Sequence, residues 1–422
     1  MKAGKRFVPG LVIGILMFFC LAGTPANPTT YPLYSILHNF TGGTTDGFQP
    51  YYGAPVLSGP TLYGLTQGGG QLTVSGTLYK INTNGTGYQI MHWFDAGVQD
   101  GTGPRGGLTL SGSTLYGCTA YGGPGIGGTV FKINTGGGGY QQLCHFAPPG
   151  QANPYGAPVV SGSTIYGMTS SEGSGAGVYG AIFSVSTGGG DPVILHSFAG
   201  KPTDGAWPYG SLTLVGSRFY GMTSAGGANG ISGGGAGYGV IFSMNLDGSD
   251  YRVLHHFAGA PNDGNNPTGS LTLVGSKLYG MTRSGGASNG PGVIFSINLD
   301  GSGYQVLLDF SSLSNIGGPC GSLTLSGSKL YGMTRMGGPG GASGVIFQIN
   351  TDGTGFQTLH GFMSSPNDGA GPLGDLTLSR SGNTLFGYTY EGGSNGNGVF
   401  FSYQMGPEPQ PSPAIMTLFL SN

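Results

Sequence analysis

An aromatic residue followed by glycine, LYG in most copies, recurs seven times along the chain, at Tyr63, Tyr116, Tyr166, Tyr220, Tyr279, Tyr331 and Phe386. Threonine follows three residues later in every copy: Thr66, Thr119, Thr169, Thr223, Thr282, Thr334 and Thr389. A second marker, the phenylalanine closing phrases such as LHNF and LHGF, falls at Phe40, Phe94, Phe146, Phe198, Phe257, Phe310 and Phe362, spaced 52 to 59 residues apart. A fixed period of roughly this length means that no unit can bury its apolar face alone and that neighbouring units stack to do so. The chain must therefore fold into seven near-equivalent parts.

The fourth unit shows what one part contains. Residues 210–215 (GSLTLV) alternate as a strand, the pair at 216–217 makes a two-residue hairpin turn with glycine first, and residues 218–223 (RFYGMT) return. A glycine-rich loop leads to residues 240–245 (VIFSMN), rich in branched and aromatic side chains, and Asp247-Gly248 turns the chain into residues 251–257 (YRVLHHF). No helical period appears beyond the N-terminal segment. Four short antiparallel strands in about 50 residues are the content of a propeller blade. The predicted fold is all-β, a seven-bladed β-propeller of four-stranded antiparallel blades. The last unit stops at its third strand, residues 399–403, while the strand at 34–40 belongs to no unit. The N-terminal strand is thus expected to close the ring as the outer strand of the seventh blade, giving a propeller over 31–403 between a leader at 1–26 and a Pro-rich C-terminal tail at 404–422.

Composition fits only because of the period. The 91 glycines and 27 prolines would otherwise suggest disorder, but here they fall between regularly placed apolar runs. Setting Lys2, Lys5 and Arg6 aside from the 14 basic residues leaves 11 against 16 acidic ones, without the basic stripe that phosphate neutralisation needs, so no nucleic-acid partner is expected. Those three residues, the apolar run after them and small residues ending at Ala26 read as a signal peptide. Export to the medium or cell surface follows, with no membrane span after cleavage. Cys118, Cys144 and Cys320 are odd in number, have no partner at metal-ligand spacing and read as small buried residues. Glycine runs such as 136–139 open no helix and lack the Lys-Ser/Thr ending of a phosphate loop, and the Asp-Gly phrases lack a calcium loop's oxygen ladder. No cofactor, metal or catalytic set is expected.

The strand order places the inter-unit crossing and the loop after the LYG strand on one face, and the short turns on the other. Binding residues sit on loops held by a rigid scaffold. The loop-rich face carries Trp207, Tyr51, Tyr52, Tyr121, Tyr155, Tyr209 and Tyr390, with the charges Glu172, Glu391, Arg283 and Arg335. The candidate ligand-binding residues are Trp207, Tyr121, Tyr390, Glu172, Glu391, Arg283 and Arg335. Amphipathic rings suit stacking on sugars; Trp207 and Tyr390 should then be more accessible than the LYG tyrosines.

Five of the seven histidines share one column, each with an aspartate eight residues on: His38 with Asp46, His92 with Asp100, His196 with Asp204, His255 with Asp263, and His360 with Asp368. Where the column holds Cys144 or Leu308, the aspartate is replaced by Ala152 or Ile316. A buried imidazole needs a hydrogen-bond partner, so these are expected to be structural pairs pinning each outer strand to the next crossing. Regular alternation would put His255 on the same side as Tyr251, Val253 and Phe257.

The phrases LYGMT, GVIF, LHxF and NDGxxP, spread over residues 34–403, resemble the GloVer tandem repeats of secreted bacterial proteins. The resemblance implies an exported propeller-like protein with a variable C-terminal sorting or anchoring signal and no established reaction. Pro407-Glu408-Pro409 resembles the start of such a signal, but residues 414–422 are too short to span a bilayer, which needs about 20 apolar residues. The expected role is that of a monomeric binding or structural module at the cell exterior, with a polysaccharide or cell-surface protein as partner. The alternative is an extracellular hydrolase or lyase at the channel mouth. Convergence of Glu172, Glu391, Arg283 and Arg335 in one pocket would favour the enzyme, and dispersal around the rim the module.

Overall fold

The computed structural model describes residue 1 and residues 33–70, 75–95, 100–147, 152–170, 179–230, 237–287 and 290–406. The expected leader beyond Met1, Glu172 and the chain from 407 onward lie outside the described residues. Seven four-stranded antiparallel sheets form the blades of a β-propeller, with no α-helix among the described residues. Blade 4 runs Thr213–Val215, Arg218–Thr223, Val240–Asn245 and Arg252–His256 from the axis outward. Blade 7 combines Thr377–Leu378, Thr384–Thr389 and Val399–Gln404 with Tyr34–Asn39 as its outer strand, so the N-terminal strand closes the ring as expected.

The core lies between blades. Tyr220, Met222 and Ile241 of blade 4 pack on Leu278, Phe295 and Ile297 of blade 5, and the same pattern recurs around the ring. The marker phenylalanines seal these interfaces, being 0 to 3% exposed. The threonine after LYG is fully buried in all seven blades. In six of the seven its hydroxyl donates to the carbonyl two residues on, as Thr223 does to Ala225 at 2.8 Å and Thr389 to Glu391 at 2.8 Å, and so turns the chain into the upper loop; the Thr169 hydroxyl has no partner among the described residues. The glycine of each Asp-Gly crossing lies against that threonine, and a Cβ on Gly205 or Gly264 would overlap it.

Two features depart from the sequence reading. The inner strand covers three residues in blade 4 rather than the six of GSLTLV, because the phrase's first half lies against the axial backbone of the next blade, where Ser211 N donates to Ser270 Oγ. Gly53, Gly106, Gly156, Gly210, Gly269, Gly321 and Gly374 form a ring at the axis, and a Cβ on any of them would overlap the backbone of the next blade. Side chains one position on continue the ring: Ser211 Oγ accepts from Ala157 N, Ser270 Oγ from Ser211 N and Ser322 Oγ from Ser270 N, each at 2.8 Å.

The second departure corrects the facing of the histidines. Every outer strand carries a register shift at the residue before the histidine column; in blade 4 Val253 pairs with Phe242 and His255 with Ile241. This bulge at Leu254 inserts one residue and reverses the alternation. Tyr251 and Val253 face blade 3, while Phe257 packs with blade 5 and His255 stacks on Tyr304 of blade 5.

Candidate functional site

The crossings enter each blade through a fixed frame, a proline and then the axial glycine, with one or two varying residues between them: Tyr51-Tyr52, Arg105, Tyr155, Tyr209, Thr268, Cys320 and Leu373. The proline fits over the glycine that opens the third strand of the preceding blade, as Pro208 does over Gly180 and Pro267 over Gly239. The residue before the proline is left-handed in all seven crossings: Gln49, Gly103, Asn153, Trp207, Asn266, Gly318 and Gly371, with φ between 53° and 62°. Glycine and asparagine adopt this conformation readily, and a bulky tryptophan does not. Trp207 therefore holds its φ of 56° against an intrinsic preference.

The varying residues of blades 1 to 5 line one bowl on the loop-rich face. Its volume is about 430 Å³, and its wall includes Tyr51, Tyr52, Arg105, Tyr155, Trp207, Tyr209, Tyr238, Asn265, Asn266, Thr268 and Arg283. It narrows at Tyr52, Tyr155, Tyr209 and Thr268 to an axial cavity of about 20 Å³ at the glycine ring. Arg105 lies over three rings, with its guanidinium carbon 5.2 Å from Tyr51, 5.1 Å from Tyr121 and 5.2 Å from Tyr155, and donates to the Tyr155 hydroxyl at 3.0 Å. Tyr390 meets Tyr51 edge-on at 5.6 Å, extending the aromatic arc to blade 7. The Trp207 indole N–H is buried and has no hydrogen-bond partner among the described residues.

The predicted site residues are dispersed. Trp207 and Arg283 line the bowl, and Tyr121 reaches its edge through Arg105 and a contact of 3.3 Å with the Tyr155 hydroxyl. Arg335, Tyr390 and Glu391 line a separate recess of about 440 Å³. Trp207 and Tyr390 are half-buried, more accessible than the LYG tyrosines, all at or below 9% exposure. Arg105 was missed by the sequence reading. Its signal was present, since in a repeat the one column that varies inside a fixed Pro-x-Gly frame is where the scaffold leaves choice.

The five histidine–aspartate pairs meet at 2.8 to 3.1 Å between His Nε2 and a carboxylate oxygen. A tyrosine from the following blade completes each: Tyr88, Tyr140, Tyr251 and Tyr304 stack on His38, His92, His196 and His255 at 3.7 Å and donate their hydroxyls to Asp46, Asp100, Asp204 and Asp263. Tyr34 stacks on His360 at 4.0 Å. At the two interfaces without the pair, the tyrosine column holds Pro192 and Phe356, neither bearing a hydroxyl. Among the described residues no cluster of His, Cys, Asp and Glu is suited to a metal ion.

Burial alone would raise these carboxyls. Hydrogen bonds from histidine, tyrosine and backbone N–H outweigh it, holding Asp46, Asp204 and Asp263 below the ordinary 3.8, and His360 with Met363 N does the same for Asp368. A carboxyl lowered by folding stabilises the fold fully above its unfolded value and loses that contribution as pH falls through the folded value. The melting temperature should accordingly drop steeply below about pH 4. Thermal unfolding followed from neutral pH to strong acid checks this, and a flat profile would contradict it.

A family model for the Gloeobacter/Verrucomicrobia repeat matches residues 24–232 and 231–408. The chain belongs to that repeat family. Its Pro-x-Gly frame, buried threonine and His–Asp–Tyr staple thus describe how a Gloeobacter/Verrucomicrobia repeat is built in three dimensions, and support a binding or structural module. No curated protein matches the chain. Solved structures similar to this member of the repeat family include a nidogen/laminin complex (13% identical, covering 68% of this chain and 90% of that one, TM-score 0.42). Others are the computationally designed Ika8 protein (13%, 87% and 100%, TM-score 0.44) and a prolyl endopeptidase (10%, 84% and 50%, TM-score 0.44). These likenesses carry no argument about activity.

Proposed function

We propose that the protein is an exported, monomeric binding module that holds a polysaccharide chain in the aromatic bowl of its loop-rich face. The observation that carries this reading is Trp207. Non-glycine residues held in the left-handed region cost of order 1–3 kcal/mol and cluster at functional sites. Here the strained residue is the bowl's indole, and its N–H is buried without a partner among the described residues. The partly exposed indole offers a sugar a stacking plane, and the tyrosine hydroxyls and the Asn265 and Asn266 amides around the bowl offer hydrogen bonds. Ring closure supports the monomer, because Tyr34–Asn39 covers the third strand of blade 7, which would otherwise stand as a bare edge deep in the sheet. The dispersal of Arg283, Arg335 and Glu391 over two pockets favours the module over the hydrolase or lyase alternative.

Trp93 and Trp207 are the two tryptophans. In a Trp93→Phe background, indole emission reports on the bowl alone and should shift when a bound polysaccharide is added. Trp207→Gly should abolish that binding while leaving stability unchanged or raised by about 1 kcal/mol, because it relaxes the left-handed backbone. A variant that binds as before, or that loses stability, would remove Trp207 from the site.

A further inference from the structure

We propose that the ligand is an anionic glycan, a chain bearing carboxylate or sulfate groups, whose charges are met by Arg105 and Arg283 on opposite sides of the bowl. This rests on the polysaccharide reading above and narrows it. Arg105 is not a loose surface cation: three tyrosine rings at 5.1 to 5.2 Å and the Tyr155 hydroxyl at 3.0 Å fix the plane of its guanidinium. A planar fork held in this way matches a carboxylate or sulfate in two-point geometry, which a mobile ammonium does not. Arg283 stands at the end of the blade 5 loop, exposed, with its backbone tied to the Asn266 carbonyl at 3.1 Å.

Charge placement points the same way. Beyond the leader the chain has six arginines and an excess of acidic residues, yet Arg105, Arg283 and Arg335 gather on this one face. Burial raises the Cys320 thiol to about 12, with Asp375 adding to the rise and both Arg283 and Arg335 opposing it. Burial also raises the Tyr390 phenol, with Tyr51 and Glu391 adding to the rise and Arg105 and Arg335 opposing it. The described residues lining the bowl itself include no carboxylate; Asp375 lies in the axial cavity beneath it and Glu391 beside Arg335 in the neighbouring recess. A neutral glycan would take only hydroxyl hydrogen bonds from the two arginines, whereas a polyanion would add opposite charge to the hydrogen bond at each.

The test titrates the mature protein carrying Trp93→Phe with polygalacturonate, dextran sulfate, neutral dextran and a single-stranded oligothymidylate. Each titration is run at low salt and again at about 0.3 M, where charges are screened beyond about 6 Å. The expected result is binding of the two anionic glycans, weakened about tenfold or more by salt. Arg283→Gln, on an exposed loop, should cost about tenfold or more in affinity with the melting temperature unchanged, and Arg105→Gln at least as much. Binding of dextran as tight as that of polygalacturonate, insensitive to salt, would overturn the anionic assignment and leave the polysaccharide reading standing. No glycan binding, with Trp207 emission unmoved throughout, would overturn both. Binding of the oligothymidylate alone would assign the bowl to nucleic acid instead. Anionic binding indifferent to both arginine substitutions would place the site elsewhere.

Discussion

Asp263→Ala is expected to destabilise the protein by about 3–5 kcal/mol, since it strands several donors in a buried site at about 1–3 kcal/mol for each left unsatisfied. Asp263 is 8% exposed. Its two oxygens accept from His255 Nε2 at 2.9 Å, Ala258 N at 2.8 Å, Gly264 N at 2.6 Å and the Tyr304 hydroxyl at 2.5 Å. Alanine would strand all four donors, two of them on side chains sandwiched between blades 4 and 5. Tyr304→Phe removes one donor and keeps the stack on His255, so it should cost only about 1–2 kcal/mol. The protein supplies its own control. At the next interface Leu308, Ile316 and Phe356 stand in the three columns and pack as an apolar group around Phe310. The triple variant His255→Leu, Asp263→Ile, Tyr304→Phe copies that solution and should recover a large part of the loss of Asp263→Ala, since a buried polar network can be exchanged for an apolar one more cheaply than it can be broken. Recovery should be incomplete, because the native apolar interface also changes its backbone: Asp309 caps a 3-10 turn at Phe310–Ser312 by accepting from Ser311 N at 2.8 Å. Denaturant unfolding of the three variants decides the matter. An Asp263→Ala protein no weaker than Tyr304→Phe would show that the carboxylate is not the hub.

The same staple shows where sequence reading stops. His255 and Asp263 could be paired because they are eight residues apart and vanish together at Cys144/Ala152 and Leu308/Ile316. The third member lies in the next unit, 49 residues beyond His255 at Tyr304, and only the ring brings it back. Its column carried the signal, since Pro192 and Phe356 replace tyrosine at the two gaps. The bulge at Leu254 had no such signal. Period-2 alternation is the default for a strand, and nothing in YRVLHHF marks the extra residue. The axial glycines were misread for a different reason: GSLTLV has the alternation of a strand, while a glycine that recurs in all seven units reports close backbone approach. At the mouth, aromatic residues and Arg283 could be assigned to the loop-rich face from strand order. Which of them share a bowl depends on the ring's curvature, and so Arg335 and Glu391 separate from Trp207.

Moving the closing strand tests the architecture as a whole. Deleting residues 33–40 should leave a protein that aggregates or unfolds without a sharp transition. The deletion takes Phe40, fully buried against Leu62, Tyr79, Ile81 and Phe400, and a buried phenylalanine alone is worth about 3–5 kcal/mol. It also removes the His38–Asp46 bond of 3.0 Å, the stack of Tyr34 on His360, and the ladder from Tyr34↔Tyr403 to Asn39↔Val399. Together these rival the whole folding stability of about 5–15 kcal/mol. What remains is a bare edge at Val399–Gln404, which invites pairing with another chain. Grafting the deleted strand behind Gly406, through the turn that joins the third and outer strands of blade 5, should restore the fold. In that turn Asp300 accepts from Ser302 N and Oγ, and Gly301 rests on Leu254 of the preceding blade. The grafted turn would meet Leu359, which holds the same place in blade 6 and lines a groove of about 730 Å³ beside Tyr403. The permuted protein is therefore expected to melt at or above the temperature of the parent, with every blade then drawn from one continuous stretch of chain. If the deletion melts like the parent, the strand does not close the ring; if the deletion fails and the graft fails with it, the strand's contribution depends on its link to the first crossing through Thr41 and Asp46 rather than on its place in blade 7.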